Sequence, residues 1–209
     1  MISALRRLID GVCVVLTTPV WLPVALAARL RLSLHVRLFQ TGSQTVALLP
    51  GDPGNLLRRA YYRMTLEECS RRCTVAFGTI FSSPSARIGH GAYIGAYCTI
   101  GMVTIEQDCL IGSSVTILSG KLTHRFDRTD VPMRMQGGEP RRVTLHADCW
   151  IGNAAIVMVD IPSGVVVGAG AVVTRSPSAG AIVGGNPARE IGRRPLDTPA
   201  ADAPRVTVE

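Results

Sequence analysis

Histidines are the chain's most informative chemical residues, because an imidazole titrates near neutrality and can take a proton from a hydroxyl held at hydrogen-bond distance. Three of the four lie in the central part of the chain, at His90, His124 and His146. His90 and His146 fall at turn corners of a repeating pattern, where glycine or a polar residue is usual, and read as exposed side chains without a role. His124 differs. It stands between Thr123 and Arg125 at the base of GKLTHRFDRTDVPMRMQGGEPRR, residues 120–142, a polar, arginine-rich interruption of the pattern. A histidine on a short excursion from a rigid platform suits general-base work, and an insertion this long in a regular repeat is more often functional than decorative. The three histidines lack the closely spaced pair of a zinc site, so no metal is expected.

The six cysteines are Cys13, Cys69, Cys73, Cys98, Cys109 and Cys149. Cys69 and Cys73 have no second pair to complete a zinc site, and Cys98, Cys109 and Cys149 occupy small packing positions. Reduced thiols in a cytosolic setting follow. The formal charge of +7 favours polyanionic partners. Nucleic acid is not expected, since aromatics are only 5% of the chain and do not alternate with basic residues as stacking platforms.

The platform is a six-residue beat running from Ile88 to Thr174. Aliphatic residues recur at Ile88, Ile94 and Ile100, at Ile105, Ile111 and Ile117, at Leu145, Ile151 and Val157, and at Ile161, Val167 and Val173. Glycine often follows, and four residues after each aliphatic stands a small residue such as Ala92, Cys98, Cys109, Val115, Cys149, Ala155, Val165 or Ala171. A chain that turns a corner every six residues points these side chains into a narrow shared interior, and three faces close one triangular turn. This is the hexapeptide signature of a parallel β-helix whose coils satisfy one another's backbone groups.

Ahead of the solenoid, residues 1–37 form a basic, apolar leader. Gly11 to Ala28 carries no charge, but Pro19 and Pro23 invite kinks, and arginines flank the run on both sides. A bent, re-entrant or interfacial segment on the inner leaflet reconciles these features, its arginines meeting acidic headgroups. The alternatives are a helix packed on the solenoid or a trimer interface, and a cleaved signal. Residues 38–74 read as a turn-rich linker (40–55) and an amphipathic capping helix with Leu56, Ala60, Met64 and Leu66 on its apolar face. The solenoid domain spans 75–192, beginning with an irregular coil, and 193–209 read as a disordered tail.

The segments VTILSGKLTHRF, VTLHADCWIGNAAIVM, VVVGAGAVVTR and VGGNPARE resemble the hexapeptide-repeat sugar O-acetyltransferases, the branch with maltose, galactoside and capsular or exopolysaccharide enzymes. The resemblance covers roughly residues 75–192. It implies a left-handed β-helix, a homotrimer with acetyl-CoA in grooves between subunits, and direct transfer without an acyl-enzyme. His124 matches the family's loop histidine, the base for the acceptor hydroxyl. Asn153 and Ala169 match contacts to the pantetheine arm and along the C-terminal coils, as do Thr174 and Arg175. Arg189 matches a basic residue near the nucleotide phosphates. Trp150 matches either a neighbour of the thioester or an interface residue. Tyr97 stands where the family has an acceptor-site Asn, and Asp127, Asp130 and Glu139 are equal candidates to orient His124. The implied function is acetyl transfer to a sugar hydroxyl of a surface polysaccharide or its lipid-linked precursor, in the cytoplasm or at the inner face of the membrane. An antibiotic, an amino sugar or serine is the alternative acceptor, and a non-catalytic binding protein the alternative class.

Overall fold

The computed structural model describes residues 2–195 as helices followed by a three-faced parallel solenoid. Helices α1 (Ile2–Leu16), α2 (Thr18–Arg29), α3 (His35–Ala47) and α4 (Gly51–Thr65) come first. The first coil follows with β1 (Glu68–Cys69), β2 (Thr74–Val75) and β3 (Ile80–Phe81), and the second with β4 (Arg87–Ile88), β5 (Tyr93–Ile94) and β6 (Thr99–Ile100). The third holds β7 (Val103–Ile105), β8 (Leu110–Ile111) and β9 (Thr116–Ile117), and the fourth β10 (Val143–Leu145), β11 (Trp150–Ile151) and β12 (Ile156–Val157). In the fifth, Ile161 forms an isolated bridge ahead of β13 (Val166–Val167) and β14 (Val172–Val173). An antiparallel hairpin of β15 (Ala181–Gly184) and β16 (Arg189–Arg193) closes the far end.

Face A stacks β1, β4, β7 and β10, face B runs from β2 through β5, β8, β11, β13 and β15 to β16, and face C stacks β3, β6, β9, β12 and β14. The register lines up the aliphatic beat. Ile88, Ile105, Leu145 and Ile161 form one column, Ile94, Ile111, Ile151 and Val167 a second, and Ile100, Ile117, Val157 and Val173 a third. All are 1% exposed or less. Cys98, Cys109 and Cys149 are buried free thiols in the small positions between columns. The prism is too narrow for larger side chains there, so these positions hold only cysteine, alanine and valine.

The N-terminal region departs from its sequence reading. The supposed linker is mostly helix, because Gly42 and Ser43 in α3 serve packing rather than turning. A side chain at Gly42 would stand 2.7 Å from a Tyr61 ring carbon, and Ser43 Oγ shares a 2.8 Å hydrogen bond with Tyr62. The buried face of α4 is also different: Arg58, Tyr61 and Tyr62 are wholly enclosed while Met64 is exposed. Phe39, Tyr61, Tyr62 and Phe81 form a chain of rings with centroids 6.2, 5.3 and 4.7 Å apart, joining α3 and α4 to β3. The solenoid therefore begins at Glu68, one turn before the repeat becomes regular, with α4 packed over its first coil.

No single described helix is long and apolar enough to cross a membrane, and α1 meets α2 at a 72° bend. The bend falls at Thr17, not at Pro23, which lies inside α2. Helix α2 buries Val24 and Ala27, whereas Leu8, Val12, Val15 and Leu16 of α1 are exposed. Residues 196–209, most of the expected tail, lie outside the described residues.

Candidate active site

The insertion leaves the solenoid at the corner between faces C and A, after β9, and rejoins at β10. It is a closed hairpin. Arg141 N donates to Ser119 O at 2.8 Å, Glu139 N to Leu122 O at 2.7 Å, and Arg125 N to Gly137 O at 2.9 Å. His124 sits within this ladder. At the tip, the Gln136 amide accepts from Arg128 N at 3.1 Å and donates to Arg128 O and Val131 O at 2.7 and 3.0 Å. The hairpin holds its shape by backbone pairing despite being almost entirely exposed.

Two of the carboxylates proposed to orient His124 are otherwise engaged. Asp127 forms a bidentate pair with Arg125 at 2.8 and 3.0 Å, and Asp130 pairs in the same way with Arg128. The arginine hydrogen bonds hold both carboxyls below the usual aspartate range. Glu139, on the limb facing Leu122, has no such partner among the described residues. The His124 ring is exposed and makes no side-chain hydrogen bond among the described residues.

Beneath the hairpin lies a cleft of about 770 Å³, lined by Lys121, Leu122, Glu139, Arg141, Met158 and Asp160 among others. Asp160 anchors its floor, accepting from Thr144 N at 2.9 Å and pairing with Arg141. Sequence reading missed this residue, although an acid one position before an inward isoleucine was a usable signal. His124 stands two residues beyond Leu122, outside the cleft lining.

The other predicted positions fall at two corners. Thr174 and Arg175 follow β14 and share the C/A corner with the insertion. Asn153 and Ala169 lie at the B/C corner on successive coils, with Gly170 N donating to Asn153 O at 2.8 Å. The Asn153 side-chain oxygen accepts from Ser113 N at 2.9 Å, which fixes its amide against the preceding coil. Arg189 opens β16 and is exposed. One chain thus brings His124, Thr174 and Arg175 to one edge of face C and Asn153 and Ala169 to the other, without uniting them.

His90 and His146 belong to the A/B corner. His90 is exposed, but His146 is half-buried, its Nδ1 lying 3.1 Å from Glu106 Oε1 while Ala147 N donates to Glu106 Oε2 at 3.0 Å. His146 therefore has a defined orienting partner, contrary to the idle corner expected for it. Among the described residues, no three His, Cys, Asp or Glu side chains converge as metal ligands. Trp150 is 52% exposed on face B, in register with exposed Leu110, which pairs in turn with exposed Tyr93.

Residues 102–120 and 143–175 match the family model described as the hexapeptide repeat of succinyl-transferase. The chain is 33% identical over 114 residues to a chloramphenicol acetyltransferase of Klebsiella aerogenes, covering 47% of this chain and 54% of that protein. It spans about half the length of this relative. Its fold is similar to a maltose O-acetyltransferase from Clostridium difficile 630, with TM-score 0.65, 17% identity, and coverage of 76% of this chain and 87% of the other. A hexapeptide-repeat acetyltransferase from Vibrio cholerae O1 biovar eltor, solved with acetyl coenzyme A, gives TM-score 0.65 at 22% identity, covering 76% and 86%. The solenoid is the left-handed β-helix that the family resemblance implied.

Proposed function

We propose that this hexapeptide-repeat protein is an acetyl-CoA-dependent O-acetyltransferase that acylates a sugar hydroxyl in surface polysaccharide biosynthesis, with His124 as general base. The observation that carries the reading is the placement of a lone imidazole in a backbone-laddered hairpin that projects from a rigid prism. The base takes the acceptor's proton as its oxygen attacks the thioester carbonyl. The carbon–sulfur bond then breaks, and the departing thiolate takes up the proton to leave free CoA. Ladder and prism supply the positioning, which accounts for much of the rate in such a transfer. Arg175 and Arg189 supply planar guanidinium forks for the CoA phosphates, with Asn153, Ala169 and Thr174 along the pantetheine arm.

The division of these residues between two corners supports a homotrimer in which one subunit's insertion meets a neighbour's B/C corner. The exposed apolar column of Tyr93, Leu110 and Trp150 gives face B a surface suited to such an interface. The exposed apolar side of α1 and its arginines support a place at the cytoplasmic face of the inner membrane, close to a lipid-linked acceptor.

A second acceptor is favoured by the sequence relative: the chloramphenicol acetyltransferase suggests an antibiotic hydroxyl. Both readings are tested by following free thiol released from acetyl-CoA with a panel of sugars and with chloramphenicol. Acceptor-dependent release that falls about 10²–10⁴-fold in His124→Ala, with CoA binding retained, supports the assignment. Undiminished turnover in that variant rejects His124 as the base.

A further inference from the structure

A second cleft, of about 830 Å³, lies where α1 and α4 meet the turn between β1 and β2. Its lining includes Arg6, Arg7, Arg59, Arg71 and Arg72 together with Asp10. Asp10 is already committed, accepting from Arg59 at 2.7 Å with Arg63 at 3.9 Å. Among the described residues no carboxylate pairs with Arg6, Arg7, Arg71 or Arg72. Guanidiniums gathered in one concavity repel one another unless an anion is shared among them, and their planar forks match phosphate oxygens.

The adjoining surface is of opposite character. A groove of about 450 Å³ on α1 is lined by Arg7, Leu8, Gly11, Val12, Val15 and Leu16. Its floor is open at Gly11, where a side chain would meet nothing within 4 Å. Leu8, Val15 and Leu16 are 65%, 70% and 64% exposed. Arg7 lines both concavities, so the cationic cleft and the apolar groove join at one residue.

We infer that this composite surface binds an anionic phospholipid of the bilayer, its phosphate among Arg6, Arg71 and Arg72 and an acyl chain against Leu8, Val12 and Val15. A free inorganic anion would use only the cleft and leave the groove unexplained. Apolar area and clustered cationic charge together are what an in-plane amphipathic helix uses at an anionic interface. The inference rests on the membrane location proposed for α1 and is independent of the transfer chemistry.

The test is flotation of the full chain with vesicles of phosphatidylcholine alone and of phosphatidylcholine with phosphatidylglycerol, beside calorimetry with inorganic pyrophosphate. Wild type is expected to partition at least about tenfold more strongly into the anionic vesicles, at roughly fivefold for each arginine near the surface. Arg71→Gln/Arg72→Gln is expected to lose most of that preference while keeping its melting temperature and its transfer to a soluble acceptor. Arg71→Lys/Arg72→Lys is expected to retain part of it, since the charge is kept and the fork is lost. Equal flotation of the glutamine variant and wild type would overturn the phosphate site and leave the membrane location standing. Tight pyrophosphate binding without flotation would overturn the lipid and the membrane location, but not the anion site. Neither binding nor flotation overturns all three.

Discussion

Gly138 faces Thr123 across the neck of the insertion with no space for a side chain between them. A β-carbon at Gly138 would lie inside contact distance of the Thr123 carbonyl oxygen and 3.0 Å from His124 N. Gly138→Ala must therefore push the His124 limb outward. Displacement of a catalytic group by about 1 Å can cost roughly 10²-fold, and a fall of about 10- to 100-fold in acetyl transfer is expected. The melting temperature should barely move, since the hairpin is exposed. Steady-state rates beside thermal unfolding by circular dichroism check both.

Arg58 joins the helical layer to the first coil. Its wholly buried guanidinium donates to Val75 O at 2.8 Å, to Val46 O at 3.4 Å, and to Leu49 O and the Asn55 side chain. Arg58→Ala removes the donor from the Val75 and Leu49 carbonyls, each costing about 1–3 kcal/mol. A loss of about 3 kcal/mol or more is expected in urea unfolding. Lysine, which cannot span carbonyls in several directions, should recover little of it.

Glu67 ties the return limb of the insertion to the solenoid by accepting from both Arg87 and Arg142. Those hydrogen bonds, Arg87's first, hold its carboxyl below its ordinary value of 4.5. Because the folded value is the lower one, the contribution is complete above about pH 5 and is lost as pH falls through the folded value. The difference in melting temperature between wild type and Glu67→Gln should be present at pH 7 and vanish in stronger acid. A difference unchanged down to pH 3 would refute the tie.

Leu110 and Ile111 are neighbours with opposite fates. Ile111 is fully buried between Ile94 and Ile151, and Ile111→Ala should cost about 2–5 kcal/mol through the cavity it leaves. Leu110 is 46% exposed on face B. If the proposed homotrimer forms through face B, Leu110→Asp should leave the unfolding of a subunit nearly unchanged while lowering the mass seen in sedimentation from trimer to monomer.

The solenoid was legible because its geometry demands a fixed spacing: from the second coil on, the inward columns hold aliphatics and the gaps between columns small groups. The insertion was legible as a break in that spacing. The helical layer was not, since Gly42 and Ser43 look like turn residues until the Tyr61 and Tyr62 rings are placed against them. The burial of Arg58 was not legible, because nothing in a local pattern reveals that distant carbonyls will surround it. The predicted site positions could not be read as an assembly, because they lie on different corners, and corner identity emerges only after several coils are stacked. Glu106 beside His146 was hidden for the same reason.

Val143 pairs with Val103 in the same register that Ile88 keeps with Ile105, so the coils stack as though residues 120–142 were absent. The hydrogen bond from Arg141 to Ser119 brings the two limbs together at the point of exit. Lengthening, shortening or exchanging the tip of the hairpin therefore leaves the register of the prism beneath it unchanged. Under the proposed function, acceptor preference could drift by loop replacement while the scaffold stays fixed, which would make this segment the natural point for grafting a new specificity.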